Sequence, residues 1–246
     1  MAIKKPTIWM LDVRKIARKL RGFELSFPGI YDYVKDRYEF SKKKSPTEEE
    51  KSGFHRINEA YINRVIDPYS INKPLHLEHL PTTMYSSSKV GKDVIFPDIF
   101  IINDGYLILS TKLAEIFQQF RTGITEIYPV RFYDLQLDEY VDNKFYYFIN
   151  VCEAHHYFLP EKSEGSSMPY LKFSGPIDGH EYYHSPRDKE GCLEFAFSKD
   201  ALHAPVDLWH DPWICDSIFI SDNLMKVIRD VGINNRSVPA FPCRLV

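Results

Sequence analysis

Few residues in this chain have the type and spacing to do chemistry. The most explicit pattern is His180-Glu181-Tyr182-Tyr183-His184, which satisfies H-E-x-x-H. In a zinc peptidase that spacing sets two imidazoles one helical turn apart, where they share a metal and the glutamate activates its water. The chemistry therefore needs a helix. Here Gly175-Pro176 and Gly179 precede the pattern and Ser185-Pro186 closes it, which leaves room for one isolated turn. Such short isolated helices do not hold. Glu190, Glu194 and His203 are nearby, but none stands at a familiar third-ligand spacing. The alternative reading is a zinc-dependent hydrolase using His180, Glu181 and His184. The preferred expectation is a surface loop, with no metal and no cofactor.

A second group is Cys152-Glu153 followed by His155-His156. A cysteine nucleophile needs its base brought within about 3 Å, and neighbours at the end of a strand do not achieve this by themselves. The expectation is a buried structural cysteine beside surface histidines. The chain has no Gly-x-Ser-x-Gly elbow, no phosphate-cradling G-x-x-x-x-G-K-[ST] and no G-x-G-x-x-G. With 11 glycines in 246 residues it also lacks close backbone-approach loops. These absences favour binding over catalysis.

Composition narrows the class. Hydrophobic residues at 44% and charged residues at 26% exclude global disorder. Aromatic residues reach 15%, with 16 Tyr and 17 Phe, and that abundance calls for a large core or a recognition surface. No run approaches the roughly 18 apolar residues of a membrane span. The apolar Ile8-Trp9-Met10-Leu11 is cut short by Asp12, too brief for a signal-peptide core. The four cysteines (Cys152, Cys192, Cys215, Cys243) form no CxxC and are expected as reduced thiols in a cytoplasmic protein. Net charge is −3, yet residues 1–44 alone carry twelve Lys/Arg against five Asp/Glu. That basic flank reads as a solvated face, and with no RNA-binding motif beside it, neither nucleic acid nor membrane is the expected partner.

The elements that must position these groups are partly legible. A helix is expected from Asp12, with Val13, Ile16, Ala17 and Leu20 on one face, stopping at Gly22. A second is expected to start at the Ser45-Pro46-x-Glu48 capping box, to bury Phe54, Ile57, Tyr61 and Val65, and to end at Asp67-Pro68. Residues 67–93, with three prolines and a serine run, read as connector, which puts a boundary near 92.

From Val94 onward the chain repeats itself. Tyr106–Phe117 and Ser217–Ile228 align at an offset of 111, which overlays Ser110 on Ser221, Leu113 on Leu224 and Phe117 on Ile228. Each copy reads as a short apolar strand, a serine N-cap and an amphipathic helix ending near Gly123 or Gly232. A second strand follows, marked by Pro129 or Pro239, and proline there favours an edge strand or a strand end. Phe145–Val151, aromatic and β-branched on both faces, predicts a buried central strand, whereas 160–192 is a long irregular section, the place to look for a site.

The segment Asp207-Leu208-Trp209, Ile218–Leu224, Ile228 and Gly232-Ile233 resembles the C-terminal hallmark of a bacterial immunity-protein family. That family was first catalogued as a domain of unknown function and later assigned to polymorphic-toxin and contact-dependent inhibition loci. Ser110–Leu113 and Tyr147-Phe148-Ile149-Asn150-Val151 resemble its middle portion, so the likeness covers about residues 94–246. It departs after the N-V pair, where relatives carry aspartates and this chain has Cys152-Glu153-Ala154-His155. The resemblance implies a cytoplasmic protein of bacterial competition that neutralises a cognate toxin, encoded beside it, by direct contact and without catalysis. An adaptor with the same binding physics and no toxin is the other non-catalytic reading. The expected interface is the acidic, aromatic-flanked stretch Asp134, Asp138, Glu139, Tyr140 and Asp142, facing a basic cleft. Tyr182 and Tyr183 are expected as rigid anchors on the long loop.

The expected fold is α+β: a mixed or antiparallel sheet with two strand–helix–strand units (about 97–133 and 207–243) in a domain spanning 93–246. A helical N-terminal region and connector, 1–92, precedes it.

Overall fold

The computed structural model describes residues 6–11, 22–86, 96–165, 172–174, 181–184, 193–215 and 217–246. It is an α+β protein of two compact units, each discontinuous in sequence. The first comprises residues 1–18, 115–125 and 151–246, and the second 19–114 and 126–150. The boundary expected near 92 lies outside the described residues.

The second unit is built on a six-stranded sheet. Its strands are β2 (Phe23–Ser26), β3 (Thr83–Ser86), β4 (Ile99–Ile101), β5 (Leu107–Ser110), β6 (Glu126–Asp134) and β7 (Glu139–Asn150), in the order β2-β3-β6-β7-β5-β4. Strand β1 (Ile8–Leu11) belongs to the first unit. Among the described residues of 1–92, helical turns at 33–42 and 48–70 stand beside three strands, two of them in this sheet, so the region is mixed rather than purely helical. The alternation Phe23-Glu24-Leu25-Ser26 is the period-2 signal for β2, short enough to be overlooked beside the helices. The predicted helix from Asp12 lies outside the described residues.

The second predicted helix exists, two residues later than its capping box suggested. Helix α1 (Glu48–Tyr61) is capped by Thr47, whose hydroxyl accepts from Glu50 N at 3.2 Å while Glu50 Oε2 accepts from Thr47 N at 2.8 Å. Choosing Thr47 places Glu48, Glu49 and Glu50 together in the first turn, against the positive end of the helix dipole. A wider π-turn, Ile62–Ile66, carries the chain past Tyr61, and Asp67–Ser70 continues it as one α-turn. Asp67-Pro68 therefore does not end the helical run. Of the predicted face, Tyr61 and Val65 are buried, whereas Phe54 and Ile57 are half-buried.

Strand β7 is central, as its composition predicted, pairing antiparallel with β6 on one edge and β5 on the other. Pro129 lies in β6, an interior strand rather than an edge. Its section is nonetheless one-sided, because β3 pairs only with Arg131–Asp134, so Pro129 sits where β6 is paired to β7 alone. Pro239 precedes β14 (Ala240–Pro242), an edge strand.

The remaining strands, all in the first unit, are β8 (Lys172–Ser174), β9 (Glu181–His184), β10 (Ala196–Phe197), β11 (Leu208–Trp209), β12 (Ile214–Cys215), β13 (Ile218–Ser221) and β15 (Arg244–Leu245). Its main sheet runs β11-β13-β1-β14, and β8–β9 pair with β12 in a smaller one. The core packs Met10, Phe195, Phe197, Trp209 and Phe219, each at most 1% exposed.

Helix α2 (Thr111–Gln118) follows β5, and helix α3 (Asp222–Asp230) follows β13. Both start on serine. Ser110 Oγ accepts from Leu113 N at 3.3 Å, and Ser221 Oγ from Leu224 N at 3.2 Å. Each hydroxyl also donates to an aspartate carboxylate, Ser110 to Asp98 (2.9 Å) and Ser221 to Asp207 (2.7 Å). Each serine N–H in turn donates to the carbonyl of that same aspartate, at 2.8 and 3.0 Å. The strands on either side of each helix also correspond: β5 and β6 both run antiparallel to β7 between them, and β13 and β14 to β1. Helix α3 closes with Gly232 at φ +84 and bonds from Gly232 N to Arg229 O and from Ile233 N to Ile228 O, the paired capping bonds of a left-handed glycine terminus. At Gly123 (φ +59) a Cβ would fall on the Glu153 carboxylate, which accepts from Ile124 N at 3.0 Å.

Replacing Ser221 by Ala removes a helix cap and strips a donor from buried Asp207. In urea unfolding the variant is expected to lose about 1–2 kcal/mol. A loss no larger than that of a neutral surface substitution would show that the serine–aspartate pair does not hold the helix in place.

Candidate functional site

The acidic stretch singled out in the sequence forms the β6–β7 hairpin, and its members separate by role. Asp134 ends β6 fully buried. Its Oδ1 accepts from Gln136 N (2.8 Å) and Leu137 N (3.2 Å), which folds the turn. It is therefore an internal turn-former, out of a partner's reach. Asp138 holds the left-handed position of the turn at φ +55, a conformation that aspartate tolerates, and it is exposed. Glu139 and Tyr140 begin β7 on the surface. Asp142 lies further along β7, and its side chain is outside the described residues.

Around the turn the tyrosines form a row. Register places Tyr85 opposite Tyr133, and Tyr133 opposite Tyr140, so one sheet face carries the three rings across β3, β6 and β7. Their centroids are 5.7 and 4.9 Å apart, with the second pair T-shaped. Tyr33, buried, extends the row at 6.1 Å from Tyr85. The Arg131 guanidinium covers the Tyr140 ring at 3.7 Å. The Tyr133 hydroxyl donates to Asp138 Oδ1 at 2.7 Å, a bond to the neutral phenol that pushes its pKa up to about 12. Phe145, paired with Arg131 in the adjacent row, is 46% exposed. This face of β6–β7 offers aromatic carbon to solvent beside the Asp138 carboxylate.

Sequence reasoning missed a second polar centre in the same unit. Glu24 is 3% exposed and accepts from Asn103 Nδ2 at 2.7 Å. Arg37 Nη1 stands 3.5 Å from Glu24 and 4.0 Å from Asp104, bridging the two carboxylates. Tyr61 donates to Asp104 Oδ2 at 3.1 Å and lies 2.9 Å from the Tyr106 hydroxyl. Burial raises the Glu24 carboxyl above its ordinary range; the Asn103 bond opposes this, Asp104 adds to it and Arg37 opposes it again. Burial likewise raises the phenols of Tyr31, Tyr61 and Tyr106. The only sequence signal was a glutamate between Phe23 and Leu25 in a four-residue strand.

In the first unit the anchors also separate. Tyr183 is 4% exposed and packs T-shaped on Phe158 at 5.0 Å, so it belongs to the core and cannot anchor a partner. Tyr182 is half-buried on the opposite face of β9. His180 lies outside the described residues. Glu181–His184 is strand β9, paired with β8 and β12, where side chains alternate between faces and the one-turn spacing of the zinc pattern is lost. Among the described residues no group of three His, Cys, Asp or Glu is placed to hold a metal ion.

Cys152 is buried, as predicted. Beside it, His155 Nε2 meets Glu153 Oε1 at 3.1 Å, His156 is exposed edge-on to Trp213, and His210 joins them through paired backbone bonds. Burial and the neighbouring imidazoles His156 and His155 push the His210 pKa from 6.5 down to about 4. His210 is thereby held as neutral imidazole at pH 7, and Asp211, beside it, accepts from Tyr157, Phe158 and Trp213 N.

Two outcomes test these environments. A buried acid with a raised pKa stabilises the fold below its unfolded pKa and loses that contribution as pH rises through the folded one. Glu24→Gln is therefore expected to raise the unfolding midpoint at pH 7, with the gain vanishing as pH falls toward 4.5. A loss at pH 7 would mean that Arg37 and Asn103 outweigh burial. His210, a base with a lowered pKa, stabilises above 6.5 and loses this as pH falls toward about 4. His210→Gln should flatten that part of the stability–pH curve, and an unchanged curve would assign the acid sensitivity elsewhere.

Compared with models of known protein families and with curated proteins, the chain matches none. No described helix is long and apolar enough to cross a membrane.

Proposed function

We propose that this chain is a non-catalytic binding protein of the immunity type, which neutralises a cognate toxin by covering it. The observation that carries the reading is the tyrosine row at the β6–β7 hairpin, in which Tyr133 is half-buried and bonded to Asp138 and Tyr140 is 42% exposed, with Glu139 on the surface of the same turn. Aromatic rings supply large rigid contact area at low entropic cost, and carboxylates at the rim steer a basic partner. The neutralising contact is assigned to Asp138, Glu139 and Tyr140, with Tyr182 as a further surface ring. The repeated strand–helix–strand frame, with its twin serine–aspartate caps, agrees with the motifs on which the resemblance rests. We place the protein in the cytoplasm, where a nuclease or nucleotide-modifying toxin would act.

The test is genetic first and physical second. The product of the adjacent reading frame is expected to be lethal alone and harmless with this chain, and to co-purify with it. A neighbour that is harmless alone and does not co-purify removes the reading. Within a complex, the double substitution Asp138→Lys with Glu139→Lys is expected to weaken Kd about tenfold, chiefly through slower association at low salt. An unchanged Kd moves the interface off the hairpin.

A further inference from the structure

Strand β1 lies in the interior of the first unit's main sheet, between two strands from the opposite end of the sequence. Ile8–Leu11 pair antiparallel with Ile218–Ser221 on one side, and Trp9–Leu11 with Ala240–Pro242 on the other. Ile8 and Met10 join the core that holds Phe219 and Phe241. Without β1, strands β13 and β14 would face each other across a gap one strand wide. Each would then present a row of unpaired backbone groups, the usual template for capturing another strand.

The gap is keyed to one sequence. Trp9 Nε1 donates to Oδ1 of Asp222, the first residue of helix α3, at 2.8 Å. The Thr7 hydroxyl donates to the Cys243 carbonyl at 2.8 Å, and the Cys243 N–H donates to Ile8 O at 2.9 Å. The two side-chain bonds span 213 and 236 residues of sequence. An arbitrary apolar strand would satisfy the two ladders and leave the indole and hydroxyl bonds unmade. The strand that fits is β1 itself, from the same chain or from another copy.

Synthesis opens the gap to both. At about 5–20 residues per second, β13 follows β1 by roughly 10–40 seconds. During that interval Ile8-Trp9-Met10-Leu11 is an apolar segment whose partner strands do not yet exist. Once they do, a chain's own β1 and a neighbour's make identical bonds. Only the tether through residues 12–22 favours the former, by raising its effective concentration. Release afterwards must break both ladders together, so the first occupant stays.

We infer that the β13–β14 gap is a strand-acceptor site whose partner is a second copy of this chain, the two copies exchanging β1 to close a twofold dimer. Each first unit is then completed by the other copy's strand. The inference stands apart from the toxin reading and needs no second protein.

Two full-length copies carrying different affinity tags test it. Co-expressed, they are expected to be captured together as a dimer that survives dilution. Purified separately and then mixed, they are expected to remain unpaired. Mixing that forms the pair as readily as co-expression assigns the contact to an outer surface and overturns the exchange. A co-expressed chain that is monomeric throughout overturns it as well. The paired substitution Ile8→Cys with Ser221→Cys then shows which chain donates the strand, because these positions stand opposite each other in register. On a non-reducing gel its dimer fraction is expected to run as a covalent dimer, whereas that of the unsubstituted chain runs as a monomer. A dimer fraction that yields only cross-linked monomer leaves each strand in its own chain, and the inference falls.

Discussion

One interaction occurs twice and the fold hangs on it: a serine at the end of a strand, held by an aspartate and capping a helix. Ser110 with Asp98 and Ser221 with Asp207 make the same three bonds, from main chain to main chain, from hydroxyl to carboxylate, and from the helix N–H to the hydroxyl. The hydroxyl donates its one hydrogen to the carboxylate and accepts from the helix N–H, and the carboxylate fixes its direction. Each clamp sets where an apolar strand stops and where a helix starts. The helix axis and the return of the next strand follow from that point.

The chain also interleaves. In the six-stranded sheet β5 and β6 lie on either side of a gap that β7 fills antiparallel, and in the four-stranded sheet β13 and β14 lie on either side of one filled antiparallel by β1. The second unit uses the next strand in sequence, β7, reached by the hairpin at Asp138. In the first unit the filler is β1, separated by more than two hundred residues from its partner strands. That long-range pairing makes the first unit discontinuous, and burial of Met10 and Ile8 secures it through the hydrophobic effect.

Filling the gap with β7 creates the candidate surface. The long antiparallel β6–β7 pair extends beyond β5, and at that end one face carries Tyr133, Tyr140, Arg131 and Phe145 toward solvent. The opposite face packs Phe132 and Phe148 into the core. The same chain reversal buries Asp134 and exposes Asp138: two carboxylates four residues apart, one serving the turn and the other the surface. Elsewhere in the unit, Glu24 is buried beside Asn103 and Arg37, and burial raises its carboxyl pKa while those two partners oppose the shift.

Local physics was enough to reveal the serine caps, the glycine C-cap at Gly232, the central strand around Phe148 and the buried Cys152, because each depends on residues within one or two turns of one another. The cap fell two residues later, on Thr47, since Ser45 and Thr47 both offer a hydroxyl followed by glutamate three positions on, and the two patterns are equal in the sequence. Strand β2 left only a four-residue alternation, and the meeting of Glu24 with Asp104 and of Tyr85 with Tyr133 was invisible. These partners are tens of residues apart in the chain and meet only in the tertiary structure. The same holds for Tyr182 and Tyr183: neighbours of one type in the sequence, they are divided between surface and core by the two-residue period of a strand that pairing with β8 and β12 imposes.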